Sequence, residues 1–280
     1  MEVSFKNVTL ITNPGTTSEK TILNNVSFSF KDNKIYGIIG NSNSGKSSIP
    51  ELISGLIIPT KGSVVINNFT NSNKRIKNIN KLRLLVGYVY KNPYDMFICK
   101  TVKKELEFGM QHFKYKLNKI ETRTKDALKM VGLDESYLDK DPLKLNFSEA
   151  KKLALAITLI YNPKLIILDE PTVGLSNIDK KELIRLLKIL KNKYEKTILV
   201  LSKDTDFLYS LVDYSYVFYK GNLMSEGNTS VFKDFNLFNC VGLKVPDMVM
   251  FTNICKEKNV NLRDYRDITD LVKGVCDNVF

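Results

Sequence analysis

The chain has 280 residues, of which 43% are hydrophobic and 26% charged, a balance that excludes a disordered polypeptide and leaves ample material for a buried core. Lysine and arginine total 42 against 30 aspartates and glutamates, a net charge of +12 with the single histidine neutral; the excess invites anionic partners, although a lysine-rich solvated surface gives the same sum. Cys99, Cys240, Cys255 and Cys276 have no CxxC spacing and read as reduced thiols, and one histidine, His112, excludes a multi-histidine metal centre.

From Val3 to Phe30, short β-rich runs flank a polar turn at Asn13-Pro14-Gly15-Thr16-Thr17-Ser18, which predicts antiparallel strands. Ile35-Tyr36-Gly37-Ile38-Ile39 is apolar throughout, the pattern of a strand buried on both faces, and it stops at Gly40. Leu165–Leu168 stops in the same way at Asp169-Glu170, and Thr197–Leu201 at Ser202-Lys203. Helical patterns lie between these runs. The expected fold class is therefore α/β, a mostly parallel sheet with ligands beyond the carboxyl ends of its strands. Val102 to Leu138 is charged and helix-forming, which predicts a small inserted helical subdomain. After Gly227 comes a less regular tail, broken at Val245-Pro246 and followed by a predicted helix over Asp247–Glu257. No apolar run approaches the roughly 18 to 20 residues that cross a bilayer, the longest being Leu153–Tyr161. Met1–Lys6 lacks a secretory pattern, so any membrane association is expected to run through other chains.

Gly40-Asn41-Ser42-Asn43-Ser44-Gly45-Lys46-Ser47 matches GxxxxGK[ST] between a buried strand and a helical segment. Glycines let the backbone wrap a phosphate, and successive N–H groups with the helix start make the anion site. The candidate nucleotide-binding residues are Gly40, Asn41, Ser42, Asn43, Ser44, Gly45, Lys46, Ser47 and Ser48. Lys46 is expected to reach the β- and γ-phosphates, and Ser47 to ligate Mg²⁺. Asp169 is the second expected Mg²⁺ holder, and Glu170 the base that polarises the attacking water. Pro50 cannot donate to the carbonyl of Lys46, which predicts a distortion beside the loop.

These segments resemble the Walker A and Walker B motifs of the ATP-binding subunits of ABC transporters, with Pro171-Thr172 following Walker B. Val86–Pro93, Thr101-Val102 and Phe108-Gly109 resemble the Q-loop region. Within that family the chain is similar to the energy-coupling-factor (ECF) importers of vitamins and metal ions, through Asn13-Pro14-Gly15-Thr16 with Glu19-Lys20 and through Val241-Gly242-Leu243-Lys244-Val245-Pro246. The resemblance implies a RecA-like P-loop NTPase core with an antiparallel β subdomain and an inserted helical subdomain. Its bounds would be 1–236 for the cassette, about 95–162 for the helical part, and 237–280 for a C-terminal tail. It implies ATP and Mg²⁺ as ligands, a second, non-identical ATP-binding subunit and a multi-helix transmembrane coupling protein as partners, and a place on the cytoplasmic side of the membrane. Nucleic acid is not an expected partner, since the roughly 120 residues between the Walker motifs leave no room for a long coiled coil.

Several positions depart from the family pattern. The signature Leu-Ser-Gly-Gly-Gln aligns with Leu145-Asn146-Phe147-Ser148-Glu149, placing bulk and negative charge where glycine backbone would approach a γ-phosphate. The following helix is expected over Glu149–Tyr161. Lys91 stands for the Q-loop glutamine, Lys203 for the switch histidine, and Ser176 for the D-loop aspartate; no aromatic near Leu10–Thr12 offers to stack on adenine. A lysine ammonium accepts no hydrogen bond and ligates no metal. These departures predict nucleotide binding with impaired hydrolysis, or, as the alternative, a catalytically weak regulatory or assembly module.

Overall fold

The computed structural model describes residues 1–74, 76–113, 117–260, 262–263 and 265–276. In chain order the elements are β1 (Val3–Thr12), β2 (Lys20–Phe30), β3 (Ile35–Gly40), α1 (Ser48–Ile53), β4 (Lys61–Ile66), β5 (Phe69–Asn71), α2 (Ile79–Leu85), β6 (Val86–Val89), α3 (Val102–His112) and α4 (Leu117–Met130). There follow α5 (Phe147–Leu159), β7 (Leu165–Asp169), α6 (Asn177–Tyr194), β8 (Thr197–Ser202), α7 (Thr205–Leu211), β9 (Tyr214–Tyr219), β10 (Asn222–Gly227), α8 (Phe235–Val241), α9 (Asp247–Glu257) and α10 (Ile268–Cys276). Short 3₁₀ turns join several of them.

Two sheets form. The antiparallel one has order β2-β1-β4-β5, and the larger has order β10-β9-β3-β8-β7-β6, parallel except for the antiparallel edge strand β10. Every residue of β3, β7 and β8 is buried, which is why these three read as unbroken apolar runs. Register pairs Ile39 with Ser202, Asp169 with Leu201, and Val89 with Leu168. Four neighbouring strands therefore end on one edge. The phosphate loop, Lys203, the Asp169-Glu170 pair and Lys91 all follow those ends and are collected there, although they are scattered over more than half of the chain.

The sheets face each other across an aromatic cluster. Phe28 stacks on Phe5 at 4.4 Å between ring centroids and meets Tyr216 at 4.8 Å and Phe218 at 5.7 Å, and the Tyr216 hydroxyl donates to the Ser29 carbonyl at 2.6 Å. The opposite face of the larger sheet packs on α5, α6 and α7 and continues into the helical subdomain through Val102, Leu106, Met110 and Leu128. The expected strands and helical insertion are present, and α9 spans the residues predicted for it. On α4, Lys125 pairs with Glu121 at 3.4 Å and with Glu135 at 3.2 Å, as on a solvated face. Among the described residues no helix is long and apolar enough to cross a membrane. Cys99, Cys240 and Cys255 are free thiols, and the Cys276 side chain lies outside the described set.

The tail does not stand apart. Phe238 and Val241 of α8 are fully buried in the core, and Arg266 donates to the Val212 carbonyl at 3.0 Å.

Removing the ring that joins the two sheets leaves a void neither sheet can close. Phe28→Ala is expected to lower the unfolding free energy by about 3–5 kcal/mol, measured by urea denaturation; a loss below about 1 kcal/mol would show that the sheets do not depend on this contact.

Candidate nucleotide-binding site

The phosphate loop is shaped by close backbone approach. A Cβ on Gly40 would lie 2.5 Å from the Ser44 hydroxyl and 2.8 Å from the Phe218 carbonyl, and one on Gly45, at φ +89°, would lie 2.4 Å from the Ile22 carbonyl. Only glycine fits either position. Lys46 is buried and its Nζ donates to the Asn41 carbonyl at 3.2 Å, reaching back across the loop. Asn41 Nδ2 in turn donates to the carbonyls of Val241 and Gly242 at 2.9 and 3.0 Å, so the tail grips the loop directly. The distortion expected at Pro50 takes a milder form than a broken bond. α1 begins only at Ser48, so Pro50 falls among the first residues of the helix, where an N–H has no intrahelical partner. The Lys46 carbonyl accepts from Ile49 at 3.0 Å in a tighter turn.

Glu170 is held by several groups. Its Oε1 lies 3.1 Å from Lys46 Nζ, and its Oε2 accepts from the Ser202 hydroxyl at 3.1 Å and the Lys203 N–H at 3.3 Å. Its backbone is left-handed, at φ +45°, unusual for glutamate. Its N–H donates to the Leu201 carbonyl at 2.8 Å, and its carbonyl accepts from the buried Lys151 Nζ at 2.7 Å. Beside it, Asp169 accepts a hydrogen bond from Ser47 and leaves its buried Oδ1 without a protein partner. Burial, opposed by the Ser47 hydrogen bond, raises the Asp169 carboxyl above its ordinary value. A buried carboxylate oxygen with no partner, next to the Ser47 hydroxyl, is the donor set a hard divalent cation takes.

Lys46, Ser47 and Glu170 border a cleft of about 440 Å³. The rest of the phosphate loop, Lys20, Thr21, Ile22, Lys91 and Lys203 line it as well. Among the described lining residues none is aromatic, in keeping with the missing stacking residue near Leu10–Thr12.

Lys151 and Ser202 were not anticipated as site residues. Lys151 shares a helix face with Leu155 and Thr158, spaced i, i+4, i+7, and a lysine on an apolar stripe is the signal that points to it.

The signature region needs a correction. α5 starts at Phe147 and ends at Leu159, two residues earlier at each end than the pattern Glu149–Tyr161 predicted. Asn146 is the reason: its side chain accepts from the Glu149 N–H at 3.0 Å while Glu149 Oε2 accepts from the Asn146 N–H at 3.1 Å, a capping box. Glu149 Oε1 also accepts from the Tyr137 hydroxyl at 2.8 Å. Its carboxylate is thus turned back on its own helix start. Phe147 lies against Gly174, where a Cβ would come within 2.6 Å of its ring, and it meets Tyr94 at 6.1 Å. Ser176, in the D-loop position, caps α6 through Asp179. His112 sits at the exposed end of α3, edge-on to the Phe113 ring and away from the cleft.

A glycine-shaped anion loop, a buried lysine and an acidic pair at the carboxyl edge of a parallel sheet define a P-loop nucleotide-binding protein. The helical insertion and the antiparallel sheet narrow the class, and comparison with known proteins agrees. The ABC transporter family matches residues 23–173. The energy-coupling factor transporter ATP-binding protein EcfA2 of Clostridium acetobutylicum is 31% identical over 94% of this chain and 92% of its own length, and that of Streptococcus agalactiae 33% over 94% of each. The dimeric cassette MJ0796 bound to ADP and Pi superposes with a TM-score of 0.75 at 27% identity, covering 81% of this chain and 98% of that one. For cbiO1 of Clostridium perfringens, part of the ABC transporter complex cbiONQ, the values are 0.72, 26%, 90% and 98%. The chain belongs to the ATP-binding subunits of the ABC transporter family.

Burial holds the Lys151 ammonium down to about 8, from an ordinary value of 10.5. Between those pH values the unfolded chain binds more protons than the folded one, so folding gains stability as pH rises through the window. The unfolding free energy of the wild type is therefore expected to increase relative to Lys151→Met from pH 8 to pH 10.5. Urea titrations at the two ends measure it, and a difference that stays flat would contradict a buried ammonium.

Proposed function

We propose that this chain is one of two non-identical ATP-binding subunits of an ECF-type importer, and that hydrolysis at its own site is impaired. In this reading two cassettes close on nucleotide at their seam, closure moves a multi-helix membrane protein, and the cargo is a vitamin or metal ion. The cassette would be residues 1–236, with the helical subdomain at about 95–162 and the tail at 237–280, and it would sit at the cytoplasmic face through its membrane partner.

The observation that carries the proposal is the pairing of an assembled triphosphate grip with replaced reaction groups. Lys46, Ser47, Asp169 and Glu170 lie together, while lysines line the cleft at the Q-loop and switch positions. Ser47 and the free oxygen of Asp169 would hold Mg²⁺, which supplies charge neutralisation on the β- and γ-phosphates when bound. The chain's own steps are positional. The loop N–H groups and Lys46 bind the phosphates, and a triphosphate that draws Lys46 away from Glu170 frees that carboxylate to accept a proton from water. Orienting that water is the step left without a partner, because Lys203 has no imidazole with which to bridge the water and the γ-phosphate. On the facing surface, Phe147 fills the place of a signature glycine, which weakens the grip on nucleotide held by a second cassette.

Loss of single positioning groups costs about 10²- to 10³-fold. The purified chain alone is therefore expected to bind ATP, to lose that binding in Lys46→Ala, and to turn over ATP at least about 10²-fold more slowly than typical enzymes. Steady-state phosphate release checks this, and rapid turnover abolished by Glu170→Gln would refute the impairment. Co-purification with a second cassette and a membrane protein separates the importer from a regulatory module, which would assemble with neither.

A further inference from the structure

The cleft is lined by more positive than negative side chains. Lys91 follows β6 and Lys203 follows β8, both line the cleft, and Glu170 is the one carboxylate among its described lining residues. Glu170 is already committed to Lys46, Ser202 and the Lys203 backbone. Both lysine side chains are exposed, and among the described residues neither has an ion-pair partner. Lys91 lines the cleft together with Ser47, and its charge acts on both Asp169 and Lys151. The Lys203 backbone is pinned by the bond from its N–H to Glu170 at 3.3 Å, fixing where its stem begins. With Lys20 and Lys46, four ammonium groups border a cleft that holds one carboxylate.

A divalent cation in such a site has two protein ligands available, Ser47 and Asp169, and a like charge on Lys91 in the same cleft. Its usual work is to offset the negative charge of the β- and γ-phosphates. Ammonium groups do the same as point charges with hydrogen-bond donors, and lysine is a common phosphate partner for that reason.

We infer that Lys91 and Lys203 form a cationic clamp on the terminal phosphate that takes over the charge-neutralising role of the metal, so that this site accepts a nucleoside triphosphate free of divalent cation. The inference rests on the nucleotide-binding reading above and deepens it. A clamp of this kind favours binding and retention over turnover, because an ammonium neutralises the phosphate without supplying a group that orients water.

Isothermal titration of the full-length chain with ATP and with ADP, in excess Mg²⁺ and in excess EDTA, tests it. The wild type is expected to bind ATP with affinities within about threefold in the two conditions and to prefer ATP over ADP in EDTA. Charge-assisted hydrogen bonds contribute about 1.5–3 kcal/mol each, roughly a factor of 10 or more in affinity. In the Lys91→Gln/Lys203→His double variant, the ratio of EDTA to Mg²⁺ dissociation constants is therefore expected to rise by about tenfold or more, with the ATP preference in EDTA lost. The charge-keeping Lys91→Arg/Lys203→Arg variant should hold the ratio near the wild-type value, which separates lost charge from lost folding. A wild type that binds more than about tenfold more weakly in EDTA overturns the clamp and leaves the nucleotide-binding reading standing. A ratio unmoved in the Gln/His variant also overturns the clamp. Absence of Lys46→Ala-sensitive binding in either condition overturns both.

Discussion

The buried contact between Lys46 Nζ and Glu170 Oε1, 3.1 Å long, is the constraint around which the site is organised. Taking two charges out of water costs several kcal/mol per ion, and the mutual attraction offsets that only when the remaining donors and acceptors are also met. Here they are met from three directions. Lys46 reaches the Asn41 carbonyl, and Glu170 receives Ser202, the Lys203 N–H and, through its own carbonyl, Lys151. Each of these groups stands at or near the carboxyl end of a neighbouring parallel strand, except Lys151, which α5 brings in from the face of the sheet. The strand order β3-β8-β7-β6 is thus the prerequisite for the pair. Any rearrangement of that order would strand a buried charge.

The pair also couples the resting protein to its ligand. In the proposed reading, phosphate groups that enter the backbone cradle would compete with Glu170 for Lys46, so that occupancy of the loop and release of the Glu170 carboxylate would be one event. The loop is tied at its second residue to the tail, through Asn41 and the carbonyls of Val241 and Gly242. The tail is therefore part of the mechanical surroundings of the nucleotide, rather than an appendage.

The replaced positions have been absorbed into local structure. Asn146 and Glu149 build a capping box, Ser176 caps α6, and Phe147 packs against Gly174 and Tyr94. Each replaced residue in the signature and D-loop has a stabilising contact of its own, so those segments are tied into local structure. Lys91 and Lys203 differ in this respect: they stay exposed in the cleft lining with no ion-pair partner among the described residues. The two kinds of departure therefore differ physically: one set is spent on local packing and capping, and the other leaves positive charge exposed in the cleft.

Much of this was legible along the chain, because the signals are local. A strand buried on both faces must be apolar at every position, so β3, β7 and β8 announce themselves, and a loop that wraps phosphate must have glycine where Gly40 and Gly45 stand. The Asp-Glu pair and the two lysines follow strands by simple adjacency. Helix starts were less legible: the position of α5 turned on a reciprocal cap between Asn146 and Glu149, and the delayed start of α1 removed the hydrogen bond that Pro50 would have broken. What the chain order alone determined was the set of chemical groups and the strand or loop each one ends. What only the tertiary structure decided was their partners: Glu170 with Lys46 and Ser202, Lys151 with the Glu170 carbonyl, and Asn41 with the tail. The reason is that hydrogen bonds and ion pairs between different elements, here 19 to 201 positions apart, depend on strand order, register and helix placement, which no local pattern encodes.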